Sequence, residues 1–257
     1  MSDNLNTKIQ KLILSKKFYI KRKTVLNKRD LYWKVKKDPD GNLRNRLTNY
    51  EKKKFIKNNQ LLIKEIKKYN VKNILDIGCG PGFLLSALNK KKYNLYGLEN
   101  DKLAIKFAEK YGSILKHNLN GKPVNFKTKF DLIIANQVIE HINKPENLIN
   151  FVKNNLKKKG IFIVGTPDFD CIMSRFYKKK FRLLHDKTHV SLFSRDSIVR
   201  FLNHHGFEIL KLDFPYFDTD YFLEFKNKNI KNIFNLKNKV SPPFYGNIIN
   251  ITARLKN

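Results

Sequence analysis

Apolar positions along this chain change their spacing several times, and each change predicts an element. From Asn49 to Tyr69, Phe55, Ile56, Leu62, Ile63 and Ile66 recur at helical spacing with lysines between them, which predicts an amphipathic helix. The rhythm then shifts. Asn73–Ile77 is a short apolar run of the buried-strand type, Gly78–Gly82 a glycine-rich turn, and Phe83–Asn89 the opening of a helix. Asn94–Glu99 reads as a second strand, Asp101–Lys110 as a helix, Ser113–Lys116 as a third strand and Phe130–Ala135 as a fourth. Pro145–Leu156 is amphipathic and is expected to stop at Lys159-Gly160, because glycine is common just past a helix end. Ile161–Val164, Gly206–Leu212 and Gly246–Arg254 supply three more strands, with a helix over Ser194–Asn203 capped by Ser194. Strands and helices alternating at this spacing imply right-handed βαβ units on a parallel sheet.

Outside this alternation the pattern is weaker. Residues 1–48 form a basic N-terminal extension, with a short amphipathic stretch at Ile9, Leu12 and Ile13 and a turn signal at Asp38-Pro-Asp-Gly41. Trp33, the one tryptophan, is expected to anchor this extension rather than to line a pocket. Residues 49–257 then form one α/β domain, with irregular cover segments at about 166–194 and 213–245. Both covers are rich in aromatics, which suit a pocket lining and a packed lid equally well.

Composition narrows the class. The 257 residues carry a formal net charge of +31, the footprint of a chain that meets nucleic acid or an anionic surface. Yet only nine of the 53 basic residues are arginine, the preferred phosphate reader, and the lysines run through the whole chain, so a nucleic-acid partner is not favoured. Two cysteines, Cys79 and Cys171, suggest neither a disulfide framework nor a zinc site. No window approaches a membrane span and the first residues lack a signal-peptide core, so a cytoplasmic protein without a transmembrane segment is expected.

The turn after the first strand carries the chemistry. Glycines let the backbone take positive φ and let a ligand approach closely, and the helix behind offers free N–H groups. Glu99, at the tip of the second strand, lies at the spacing of a carboxylate that grips a ribose diol. The spacing is Gly78-x-Gly80-x-Gly82, however, and Asp76 precedes it. An acid there would repel a pyrophosphate and suits a cofactor with an amino-acid tail.

Ile74-Leu-Asp-Ile-Gly-Cys-Gly-Pro-Gly82 resembles the signature of class I S-adenosylmethionine-dependent methyltransferases. The likeness continues through Gly97-Leu-Glu99, Phe130–His141, Leu156–Gly160 and Gly165-Thr-Pro167; His189–Ser194 and Gly206–Ile209 resemble the ubiquinone-biosynthesis-like branch, which methylates small molecules. The resemblance implies a Rossmann-like, doubly wound sheet of seven strands, mostly parallel, with an antiparallel C-terminal strand, and S-adenosyl-L-methionine as cofactor. It implies that Gly78, Cys79, Gly80 and Gly82 form the turn around the methionine moiety, that Asp76 orients its ammonium, and that Glu99 binds the ribose hydroxyls. Asn100 would lie beside the adenine, with Asn118 and Leu119 after the third strand; Asn118 stands where the family usually has Asp. Asn136, Gln137 and Val138 would lie near the sulfonium.

Methyl transfer to a hydroxyl needs a base, and histidine is the natural one. Of six histidines, His141 follows the fourth strand and His189 lies in the first cover, which makes them the catalytic candidates; His204 and His205 belong to a helix end. His185 and His189 stand four apart, but no third ligand is evident, so no metal is expected. Asn136-Gln-Val-Ile139 lacks the Pro-Pro turn of amino-methylating nucleic-acid enzymes, and Cys171 lies outside any pyrimidine-methylating motif. A small-molecule acceptor with an oxygen nucleophile is the leading expectation, ahead of RNA methylation or a non-catalytic cofactor-binding module.

Overall fold

A computed structural model describes residues 17–23, 33, 36–37, 43–121, 126–215 and 247–256. The apolar stretch at 9–13, the turn at 38–41 and most of the second cover, from 216 on, lie outside the described residues. Eleven strands are named in chain order: β1 Ile20–Lys21, β2 Lys36–Lys37, β3 Leu43–Arg44, β4 Asn73–Ile77, β5 Asn94–Glu99, β6 Ser113–Lys116, β7 Phe130–Asn136, β8 Leu156–Pro167, β9 Ser191–Leu192, β10 Phe207–Asp213 and β11 Ile248–Leu255. Seven of them form one sheet in the order β10-β11-β8-β7-β4-β5-β6. Neighbours from β8 to β6 run parallel, while β11 is antiparallel to both β8 and β10. The expected doubly wound sheet with an antiparallel last strand is therefore what the chain forms.

The alternation read from the sequence assigns the two faces. On β7, Ile133 and Ala135 join the cluster under the helices Pro145–Asn155 and Arg195–His204, while Leu132 and Ile134 face Leu62, Ile63 and Ile66 of the helix Gln60–Lys68. On β8, Phe162 and Val164 take the first face and Ile161 and Ile163 the second. This is period-two burial on a sheet covered on both sides.

Three element boundaries differ from expectation. The run from Asn49 is two helices, Asn49–Asn58 and Gln60–Lys68, broken at Asn59. There the Asn59 side-chain amide donates to the Phe55 carbonyl at 2.8 Å, offering the backbone an alternative partner. The helix after the glycine turn is a single turn, Phe83–Ser86. The helix from Pro145 ends at Asn155, and Leu156 already pairs with Phe130 in β8; Lys159, at φ 59°, rather than Gly160, makes the left-handed bend inside that strand.

The first cover has its own small core. Phe169, Tyr177, Phe181, Leu183, Leu192 and Ile248 are buried together, with Ile20 against them. Its aromatics therefore chiefly hold the cover down, although Phe176 is 41% exposed. Among the described residues no helix is long and apolar enough to cross a membrane.

Candidate functional site

The carboxyl ends of β4, β5 and β7 open on one cavity of about 930 Å³, lined by Asp76, Gly78, Glu99, Asn136, His141 and His189 among others. That volume lies near the upper end of ligand pockets, with room for a nucleoside-sized molecule and a second one. The position is the one open parallel sheets reserve for ligands.

The turn at its floor needs its glycines. Gly78 has φ +67°, and a Cβ there would come within 2.7 Å of Val138 Cγ2; Gly80 has φ +52°. Its Cβ would meet the Trp33 ring at 2.6 Å, so Trp33 lies on the cavity wall over Gly80 instead of in a core of the extension. Gly82 does not line the cavity: it closes against Ala108 and Tyr111 and lets the following helix pack. Cys79 is buried against Gly97, and burial, with the charges of Asp76 and Glu99, pushes its thiol far up, so it is inert filling.

Two acids sit beside this turn. Glu99 accepts from the Gly80 amide at 2.9 Å through Oε2, and from Asn100 and Asp101 amides at 2.7 and 2.9 Å through Oε1. Asp76 is 4% exposed; burial first, and the Glu99 charge second, raise its carboxyl to about 8. Without a cationic partner Asp76 is therefore protonated at neutral pH. Asn100, Asn118 and Leu119 line the same cavity, but the Asn118 side-chain oxygen already accepts from the Asn120 amide at 3.0 Å. Asn136 is held by Asn59, its amide donating at 3.2 Å. Gln137 follows with φ 59°, a conformation few non-glycine residues adopt, and its amide donates to the Gly165 carbonyl at 2.8 Å.

The far end of the cavity holds a cluster that spacing in the sequence does not reveal. Glu140, His141 and His189 place ligand-type atoms within 4.8 Å of one another. Glu140 is fully buried; its Oε2 accepts from the Thr166 hydroxyl at 3.1 Å, while Oε1 has no hydrogen-bond partner among the described residues. Burial pushes this carboxyl up to about 8, against the pull of its own amide and of Thr166. His189 Nδ1 lies 2.8 Å from the Leu183 carbonyl, so Nδ1 carries the proton and Nε2 the lone pair. His141 Nδ1 lies 3.1 Å from the Thr188 carbonyl and 3.0 Å from its hydroxyl. That hydroxyl donates to Asp186 at 2.6 Å, so it accepts from His141, which fixes the same tautomer there. Burial lowers the basicity of His189, partly offset by the Asp186 charge. Asp186, although burial raises it, is held below the ordinary carboxylate range by His189 and by Thr188.

Both expected histidines thus meet in one place. Their buried neighbour Glu140 carries no signal in the sequence beyond its position beside His141, and the 48 residues to His189 hide the rest. His185 takes no part in the cluster: it is exposed, with Nε2 3.1 Å from the Lys179 carbonyl. His205 caps a helix end against Phe201.

Residues 45–212 match the family described as "Methyltransferase domain". An uncharacterized protein of Methanocaldococcus jannaschii is 29% identical over 138 residues, 53% of this chain and 65% of that one. The ubiquinone biosynthesis O-methyltransferase of Pelagibacter ubique is 29% identical over 122 residues, 46% of this chain and 50% of that one. The chain therefore spans between half and two-thirds of these relatives. Among solved structures, an S-adenosylmethionine-dependent methyltransferase from Clostridium acetobutylicum superposes with a TM-score of 0.52 at 14% identity, covering 82% of this chain and 94% of that one. With its glycine turn, paired acids and sheet order matched by that family assignment, the chain belongs to the class I S-adenosylmethionine-dependent methyltransferases.

Proposed function

We propose that this enzyme moves a methyl group onto an oxygen of a small or medium-sized acceptor, held between the turn Ile139–His141 and the cover loop 183–190. The bound cofactor supplies a methyl already activated by its sulfonium. Asp76, ionised, would face the methionine ammonium, and Glu99 the ribose hydroxyls while still bracing the Gly80 amide. Asn100, Asn118 and Leu119 would border the adenine, and Asn136, Gln137 and Val138 the methyl position. A tight bend at Gly78, where a Cβ would collide with Val138, beside a buried acid awaiting a cation, fits such a molecule.

The observation that carries the oxygen assignment is the far cluster. Two imidazoles with Nδ1 anchored stand beside a buried carboxyl, ligand-type atoms of all three residues lying within 4.8 Å of one another. An amine or thiolate acceptor needs no such group, whereas a hydroxyl must lose its proton. His141 or His189 would take that proton, and Glu140 would balance the charge formed. The similarity to ubiquinone biosynthesis O-methyltransferases supports the same choice. The cluster also favours a second reading. Each anchored imidazole and the carboxyl oxygen without a hydrogen-bond partner among the described residues suit a divalent cation, which would lower the pKa of a coordinated hydroxyl. The test is methyl release from labelled cofactor across hydroxyl, amine and thiol acceptors, with and without chelator. Transfer to amines alone would refute the oxygen assignment, and activity indifferent to chelator would remove the cation.

A further inference from the structure

Residues 17–23 precede the family-matching stretch, yet they are built into the wall behind the far cluster. Ile20 and Lys21 pair antiparallel with Leu192 and Ser191, and the Arg22 amide donates to the Val190 carbonyl at 2.8 Å. Three aromatic and polar contacts fasten the segment independently. Phe18 lies 5.6 Å from the Phe201 ring, Tyr19 lies 5.4 Å from Phe193, and the Tyr19 hydroxyl donates to Glu146 at 3.2 Å.

The Arg22 side chain does something different. Its Nη1 donates to the Asp186 and His189 carbonyls, each at 3.3 Å, and its Nη2 to the Leu184 carbonyl at 3.2 Å. These carbonyls belong to the loop whose side chains are Asp186, Thr188 and His189. Carbonyl dipoles converging on one point repel each other. Only a cation with several fixed donors relieves that repulsion, and a guanidinium offers five in a rigid fork where an ammonium offers one compact charge.

We propose that Arg22 is a positioning residue for the acceptor site. By gathering the 184–189 carbonyls it holds the loop so that His189 Nδ1 stays on the Leu183 carbonyl and the His189 ring stays beside Glu140 and His141. The acceptor end of the cavity is then incomplete without a segment that lies outside the family-matching residues. This rests on the reading of the His141–His189 cluster as the acceptor end, so the test carries one measurement that needs no acceptor.

Full-length chain labelled with ¹⁵N at histidine is compared with Arg22→Ala and Arg22→Lys by long-range ¹H–¹⁵N spectra, His189→Gln and His141→Gln serving to assign signals. The wild type should show His189 with Nδ1 protonated. Both variants should show a mixture of tautomers, and millimolar guanidinium should restore the single form in Arg22→Ala but not in Arg22→Lys. Binding of S-adenosylhomocysteine should stay within about twofold, because that site lies elsewhere in the cavity. Methyl transfer to 3,4-dihydroxybenzoate, used as a hydroxyl probe, should fall on the order of 10- to 100-fold through kcat. Should Arg22→Ala fail to fold, Arg22→Lys keeps the charge and decides alone. Unchanged His189 signals in the folded variants would overturn the proposal and leave Arg22 a simple strap. Altered signals with no transfer by the wild type would uphold it and count instead against the oxygen acceptor.

Discussion

Cofactor binding should expel a proton, and Asp76 is the group that loses it. The ligand-free carboxyl is raised to about 8 by burial and by Glu99, so it is neutral at pH 6. A methionine ammonium beside it favours the carboxylate, so binding selects the ionised form. The ionised fraction is 1/(1 + 10^(8 − pH)), about 1/100 at pH 6 and about 1/2 at pH 8. Affinity should therefore rise roughly fifty-fold over that window, which is about 2.3 kcal/mol. Calorimetric titration with S-adenosylhomocysteine in buffers of different ionisation enthalpy reads both quantities: affinity, and protons released, close to one at pH 6. Asp76→Asn should flatten the slope and hold affinity near its low-pH level. The ligand-free protein gives an independent check of sign. The unfolded carboxyl ionises near its ordinary value, so the stabilisation from keeping Asp76 protonated is present below pH 4 and is lost as pH rises to about 8. Melting temperature should fall across that window, less steeply in Asp76→Asn; Glu140 contributes with the same sign. Affinity indifferent to pH between 6 and 8 in the wild type, or an unaltered slope in Asp76→Asn, would refute the reasoning.

Other substitutions separate the remaining roles. Glu99→Ala removes the proposed ribose acceptor and also the brace on three backbone amides, so cofactor affinity should drop by one to two orders of magnitude with the fold retained; circular dichroism and calorimetry together check this, and undiminished affinity sinks the assignment. Glu140→Gln keeps a partner for Thr166 but removes a buried charge, so above pH 8 the variant should melt higher than the wild type while turnover falls about 10²-fold or more. Gly165→Ala would drive a Cβ into Asn136 Oδ1 and bring it within 2.6 Å of Asn250 Oδ1, and denaturant unfolding should show a loss of about 1–3 kcal/mol.

Much of the sheet was legible because burial writes itself into period two. Leu132 and Ile134 against Ile133 and Ala135 announce a strand covered on both faces, and glycines at positive φ announce the turn between β4 and its helix. The part of the cavity at the tips of β4 and β5 was legible for the same reason: the residues lining it lie within a few positions of strand tips. The far end was not, because it is assembled by pairing across distance. Val190 donates its amide to the Glu140 carbonyl at 2.8 Å and the Ser191 hydroxyl reaches the Ile142 carbonyl at 2.7 Å, which bring the two histidines together. No local propensity encodes such contacts. Helix ends failed for a related reason: the Asn59 side chain and the pull of β7 on Leu156 outweigh the rules for caps.

Trp33 has a use that needs no engineering. It is the single indole of the chain and it rests on Gly80, in the loop proposed to receive the cofactor. Its emission is therefore free of any background from other indoles, and a sulfonium or adenine arriving near Gly80 changes the polarity and quenching it experiences. Unlabelled protein can serve as its own optical sensor, so a library of candidate acceptors can be ranked by how each alters the signal of the cofactor-loaded form before any product is identified.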